Sequence, residues 1–176
     1  MARVPIRVND DVEVLQHEHG FKGGWCPATV RALSAEGSRA LIQYKHFENS
    51  DGYKLHAWKE IISSRLVHVG EGEGARYEML YFAVRPVPPR VDHPPGGWAA
   101  GTIVDARWND MWWKGTIVGN AGRNGLVFVA FDEPPEGEGG RASIQVGDTR
   151  KSLVFEPEQL GERRNPSRGG IWRSIQ

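Results

Sequence analysis

A block of prolines interrupts this sequence near its middle, and the stretches on either side repeat one pattern. Arg85-Pro86-Val87-Pro88-Pro89-Arg90, followed by Pro94-Pro95-Gly96-Gly97, lacks the backbone donors a strand ladder needs and predicts a stiff extended connector. Upstream, Val12-Glu13-Val14 is followed by Trp25-Cys26-Pro27-Ala28-Thr29-Val30; downstream, Val104-Asp105-Ala106 is followed by Trp112-Trp113-Lys114-Gly115-Thr116-Ile117. Tyr44 comes nineteen positions after Trp25, and Phe131 comes nineteen after Trp112. This matched spacing predicts two similar domains, 8–90 with the proline-rich linker and 91–176.

Short β-branched and aromatic runs between turn residues, with 22 Gly and 11 Pro and no sustained helical periodicity, predict an all-β chain. The clearest strands are 12–16, 28–33, 40–45, 102–107, 116–118, 126–131 and 152–155, lengths that suit small barrels. Within 40–45, strand alternation turns Ile42 and Tyr44 to one face and Gln43 and Lys45 to the other. The acidic, glycine-rich segments 71–74 and 133–140 read as solvated loops. Trp172, among the arginines of the last stretch, is expected to pack back on the second domain.

Charge and composition narrow the function classes. Lys plus Arg equals Asp plus Glu at 22 each, and neither half is a polycation, which argues against a general DNA binder. A single cysteine, Cys26, excludes an internal disulfide and a thiolate zinc site. The six histidines form no recognised metal motif, and no glycine run has the following Lys-Ser or Lys-Thr of a phosphate loop. Neither an apolar leader nor a membrane-length apolar run occurs. The expectation is an intracellular binding module with no catalytic residues, no metal and no cofactor.

Val12-Glu13-Val14, Gly20-Phe21-Lys22-Gly23-Gly24-Trp25 with Ala28-Thr29-Val30, the linker Arg85 to Pro89, and Val104-Asp105-Ala106 with Trp112-Trp113-Lys114-Gly115 together resemble the plant Agenet family of the Tudor-like Royal group. The stretch 58–65 resembles the subgroup that accompanies bromo-adjacent-homology domains. The resemblance implies two small Tudor-like antiparallel β-barrels, a tandem Agenet arrangement packed around the proline-rich linker. It further implies a monomeric module of a larger nuclear chromatin protein in gene regulation, reading a methylated lysine of the histone H3 tail, such as dimethylated lysine nine.

A methylammonium keeps its charge but loses hydrogen-bond donors, so aromatic ring faces suit it best. Tyr44-Lys45-His46-Phe47-Glu48-Asn49 resembles the Tudor pattern in which two aromatics three apart form cage walls and an asparagine supports them, which gives those roles to Tyr44, Phe47 and Asn49. His19, Phe21 and Trp25 are the candidates for the opposing walls, with Cys26 where an aromatic is usual. Glu48, Asp51, Trp108 and Asp110 are candidates to contact the basic peptide. Two rival readings are a DNA-binding module that stacks bases on Trp108 and Trp172, and a protein-interaction domain without a cage.

Overall fold

A computed structural model describes residues 6–68, 76–91, 93–120, 124–134, 136–157, 159–160, 163–164 and 170–175. Among these the chain is all β, apart from single 3-10 turns. In order the strands are β1 (Asp11–Leu15), β2 (Trp25–Leu33), β3 (Arg39–Glu48), β4 (Lys54–Glu60), β5 (Ile62–His68), β6 (Arg76–Phe82), β7 (Val84–Pro86) and β8 (Ile103–Trp108). They continue with β9 (Met111–Asn120), β10 (Leu126–Phe131), β11 (Arg141–Gln145), β12 (Thr149–Lys151), β13 (Leu153–Pro157), β14 (Gln159–Leu160), β15 (Arg163–Arg164) and β16 (Gly170–Ser174). Each of the seven strands read from sequence has a counterpart; the acidic segment 71–74 lies outside the described residues.

The described residues group into two compact units that interleave along the sequence. The first draws on Met1–Val12, Ala28–Pro86 and Phe155–Trp172, the second on Glu13–Pro27, Val87–Val154 and Arg173–Gln176. Strands β1 and β2 therefore each contribute to both units.

In the first unit β2 pairs antiparallel with β3 and β3 with β4, while β5 and β6 form their own hairpin ladder. Alternation along β2 and β3 buries Ala28, Val30, Ala40, Ile42 and Tyr44 on one face. A bulge between Val30 and Ala32 bends β2, the kind of kink that lets a short sheet curl on itself. On the exposed face Lys45 Nζ lies 2.6 Å from Asp11 and Thr29 Oγ1 donates to the same carboxylate at 3.0 Å. The Lys45 hydrogen bond holds the Asp11 carboxyl below its ordinary range, against partial burial that pushes it up.

In the second unit β8 pairs with β9 and β12, β9 with β10, and β10 with β11, all antiparallel. Trp98, Val104, Ala106, Ile117, Val127, Val129 and Ile144 form its apolar core. The Trp98 indole keeps its hydrogen bond inside that core by donating to Thr149 Oγ1 at 2.8 Å. Gly115 is required where β9 crosses β10: a Cβ there would stand 2.6 Å from Val129 Cγ1 and 2.7 Å from the Ala130 carbonyl oxygen.

Three sequence expectations change. The linker begins inside a strand, since β7 includes Arg85 and Pro86, and Arg85 is buried with its guanidinium 5.4 Å from the Trp172 ring centre. Trp172 packs back 4.9 Å from Phe155, a residue of 91–176, but both rings belong to the first compact unit, because β16 pairs with β13 there. Segment 133–140 is not simply solvated: Gly137 is buried and Glu138 is partly covered, because the loop carboxylate has backbone N–H partners.

Candidate aromatic site

The ladder between β3 and β4 breaks where the sequence places its aromatic pair. Gln43 faces His56, and the next aligned pair is Glu48 with Lys54, so β3 advances five residues while β4 advances two. The unmatched residues of β3 bulge out of register, which is how a strand re-aims side chains away from its pleat. Tyr44 and Phe47 sit in this break, ring centres 5.6 Å apart and planes at 67°, an edge-to-face contact. Tyr44 ends the inward row and is 7% exposed, while Phe47 is half-buried.

The turn that follows is held by Asn49. Its side-chain oxygen accepts the backbone N–H of Asp51 at 3.0 Å and of Tyr53 at 2.9 Å, and its own N–H donates to the Tyr53 carbonyl at 2.9 Å. This Asx-type closure, with Gly52 at φ +79°, fixes the chain leaving the aromatic pair. Glu48 is ion-paired with Lys54 across the turn, and Glu48, Asn49 and Asp51 are exposed. Tyr53, 73% exposed, lies on this turn and had escaped the sequence reading; an aromatic among the polar residues 48–54 was its only signal.

The other candidates belong to the second unit. The segment from Gln16 to Gly24 is a tight loop in which the N–H groups of Gln16, Phe21, Gly23 and Gly24 all donate to backbone carbonyls within the loop. His19 is exposed, Phe21 is 43% exposed, and Trp25 is half-buried in register with Trp112 of β9. Trp108 is 46% exposed beside the two-residue turn Asn109-Asp110, whose residues have φ of 49° and 61°. Such positive φ values at both central positions mark the tight turn that suits strand twist. Arg107 pairs with Asp110 at 3.5 Å, and Trp113 Nε1 donates to the Trp108 carbonyl at 2.9 Å.

The structure therefore brings Tyr44 and Phe47 into direct contact, with Asn49 ordering the adjacent turn, and assigns Glu48 and Asp51 to the same unit. His19, Phe21, Trp25, Trp108 and Asp110 fall in the other unit. Nothing in the sequence marks this division, because the segment carrying His19, Phe21 and Trp25 precedes Tyr44 within the same apparent repeat.

Residues 9–89 match the Agenet domain family. Over 131 residues the chain is 27% identical to DUF724 domain-containing protein 6 of Arabidopsis thaliana, covering 74% of this chain and 16% of that protein. It is also 27% identical over 125 residues to protein AGENET DOMAIN (AGD)-CONTAINING P1 of Arabidopsis thaliana, covering 71% of this chain and 20% of that protein. The chain thus spans a fifth or less of the length of these relatives. Among solved structures, AGDP1 AGD34 of Arabidopsis thaliana superposes with a TM-score of 0.58 at 22% identity, over 84% of this chain and 83% of that one. The ADCP1 tandem Agenet domain 3-4 does so with 0.61 at 19% identity, over 97% of this chain and 89% of that one. At these identities the structural likeness establishes the fold, that of paired Tudor-like barrels.

Proposed function

Because residues 9–89 match the Agenet domain family and the chain has the tandem Agenet fold, we propose that it is a chromatin reader module binding a methylated lysine of the histone H3 tail, dimethylated lysine nine being the first ligand to try. The edge-to-face pair of Tyr44 and Phe47 carries this reading. In this edge-to-face pair the half-buried Phe47 ring is the surface within a cation's reach, and the buried Tyr44 ring packed against it fixes its orientation, so the charge is met by π electrons without a hydrogen-bond acceptor. Asn49 supports the pair by ordering the turn beyond it, and Glu48 and Asp51 on that turn favour a basic peptide. His19, Phe21, Trp25, Trp108 and Asp110 are the further candidates for gripping the tail. The module acts by binding rather than catalysis, in the nucleus, as part of a longer protein, with 8–90 and 91–176 as its two repeats.

Peptide arrays carrying unmodified and methylated H3 tails test the reading. The wild type is expected to prefer a methylated peptide, with affinity on the order of micromolar. Phe47→Ala and Tyr44→Ala are expected to abolish that preference. Equal binding to unmodified tails, or a preference that survives both substitutions, refutes it. A fall in DNA affinity with rising salt, insensitive to Phe47→Ala, supports the nucleic-acid rival instead.

A further inference from the structure

Within the second unit, the loop carrying His19 and Phe21 is held by the acidic segment around residues 133–140. Glu138 Oε1 accepts the backbone N–H of Gly20 at 2.9 Å and of Lys22 at 3.1 Å. One carboxylate oxygen thus satisfies two amides of a turn, the arrangement in which successive N–H groups form a concavity for an anion. The two segments touch elsewhere as well. A Cβ on Gly23, which has φ +83°, would stand 2.2 Å from the Glu136 carbonyl oxygen, so only glycine permits the approach. A Cβ on Gly24 would stand 2.2 Å from Met111 Cε and 3.2 Å from Trp113 Cζ2, so the loop also rests on the start of β9.

The glycine contacts bring the two backbones together, and the carboxylate fixes the loop's outer end. Phe21 lies between the two amides that Glu138 binds, and it stays 43% exposed. A large, partly exposed apolar side chain on a tightly bonded loop suits contact with a ligand, since the loop's backbone entropy is already spent before binding. The sequence does not reveal this latch, because the partners of Glu138 are backbone amides and carry no side-chain signature.

We propose that Glu138 is a positioning residue, which latches the loop from Gln16 to Gly24 and so presents Phe21 on the second unit for contact with the tail. The latch itself is independent of ligand identity; its role in binding rests on the methyl-lysine reading above. Charge-assisted hydrogen bonds to backbone amides are stronger than neutral ones, so the neutral isostere should keep part of the effect and the truncation none.

The test uses the full chain, as wild type, Glu138→Gln and Glu138→Ala, with two readouts. The first is hydrogen exchange at the Gly20 and Lys22 amides by NMR. The second is affinity for an H3 tail peptide dimethylated at lysine nine. Glu138→Ala is expected to speed exchange at both amides by about tenfold or more and weaken the peptide by roughly fivefold, with Glu138→Gln between it and wild type. Unchanged exchange in Glu138→Ala overturns the latch. Faster exchange with unchanged affinity overturns its part in binding. A wild type that does not bind the peptide refutes the functional reading alone, and the amide exchange still decides the latch.

Discussion

The first unit keeps the Lys45–Asp11 ion pair between β3 and β1 in water, the two side chains being 38% and 55% exposed, whereas the second seals Arg150 between Glu13 and Asp105. Arg150 Nη1 reaches Glu13 Oε1 at 2.7 Å and Nη2 reaches Oε2 at 2.8 Å, a two-pronged contact, while Asp105 Oδ2 lies 3.3 Å away. Ser152 Oγ donates to the other Asp105 oxygen at 2.7 Å, and the guanidinium lies 4.0 Å from the Trp112 ring centre. An exposed pair adds little to stability because water screens it, but a buried cluster has no such relief. The difference teaches that the Arg150 cluster of the second unit holds its charges out of water while the Lys45–Asp11 pair of the first does not, so substitutions at the two should have unequal effects.

Removing the buried cation should separate the units most. Arg150→Met removes the cation that Glu13 and Asp105 share in the buried cluster and is expected to cost about 3–5 kcal/mol in denaturant unfolding. A loss as small as that for a surface pair would break the contrast. Next comes Gly115→Ala, where the added methyl meets the Ala130 backbone and is expected to cost about 1–3 kcal/mol by the same measurement. In the first unit, Phe47→Ala is expected to weaken methylated-peptide binding by about tenfold while lowering stability by less than about 1 kcal/mol, since the ring is only half-buried. Calorimetric titration alongside thermal unfolding separates those two effects.

The smallest effect belongs to the surface pair. The Asp11 carboxyl ionises at lower pH in the folded chain than in the unfolded one, because Lys45 hydrogen-bonds its charged form. Its contribution is therefore present above the ordinary aspartate range and is lost as pH falls through the depressed folded value. Asp11→Asn should cost about 0.2–1 kcal/mol near neutrality and nothing in strong acid, checked by urea midpoints across that range. A larger loss at neutrality would make the first unit resemble the second.

Much of the fold was legible because its strands are apolar and regularly alternating. Strand β4, Lys54–Glu60, was missed: it is mostly exposed, so its Lys, His and Glu side chains hide the alternation. The buried triad was missed for the opposite reason. Strand periodicity turns Glu13 outward from Val12 and Val14, yet all three are buried, because both faces of β1 are covered there. The clue was the repeat, since Glu13 and Asp105 occupy matching positions in Val12-Glu13-Val14 and Val104-Asp105-Ala106, but Arg150 lies too far along the chain for spacing to connect it to either. At the candidate site, the closeness of Tyr44 and Phe47 followed from a local motif. The assignment of His19, Phe21 and Trp25 to the other unit depends on contacts with residues 111–138, which no local pattern encodes.

The most direct measurement is an NMR titration that follows the ring resonances of Tyr44 and Phe47 as unmodified and lysine-nine-dimethylated H3 peptides are added. Selective shifts of both rings with the dimethylated peptide, in a saturating manner, are predicted. Rings that stay still, or that respond equally to the unmodified tail, contradict the proposal that this pair receives the methylated side chain.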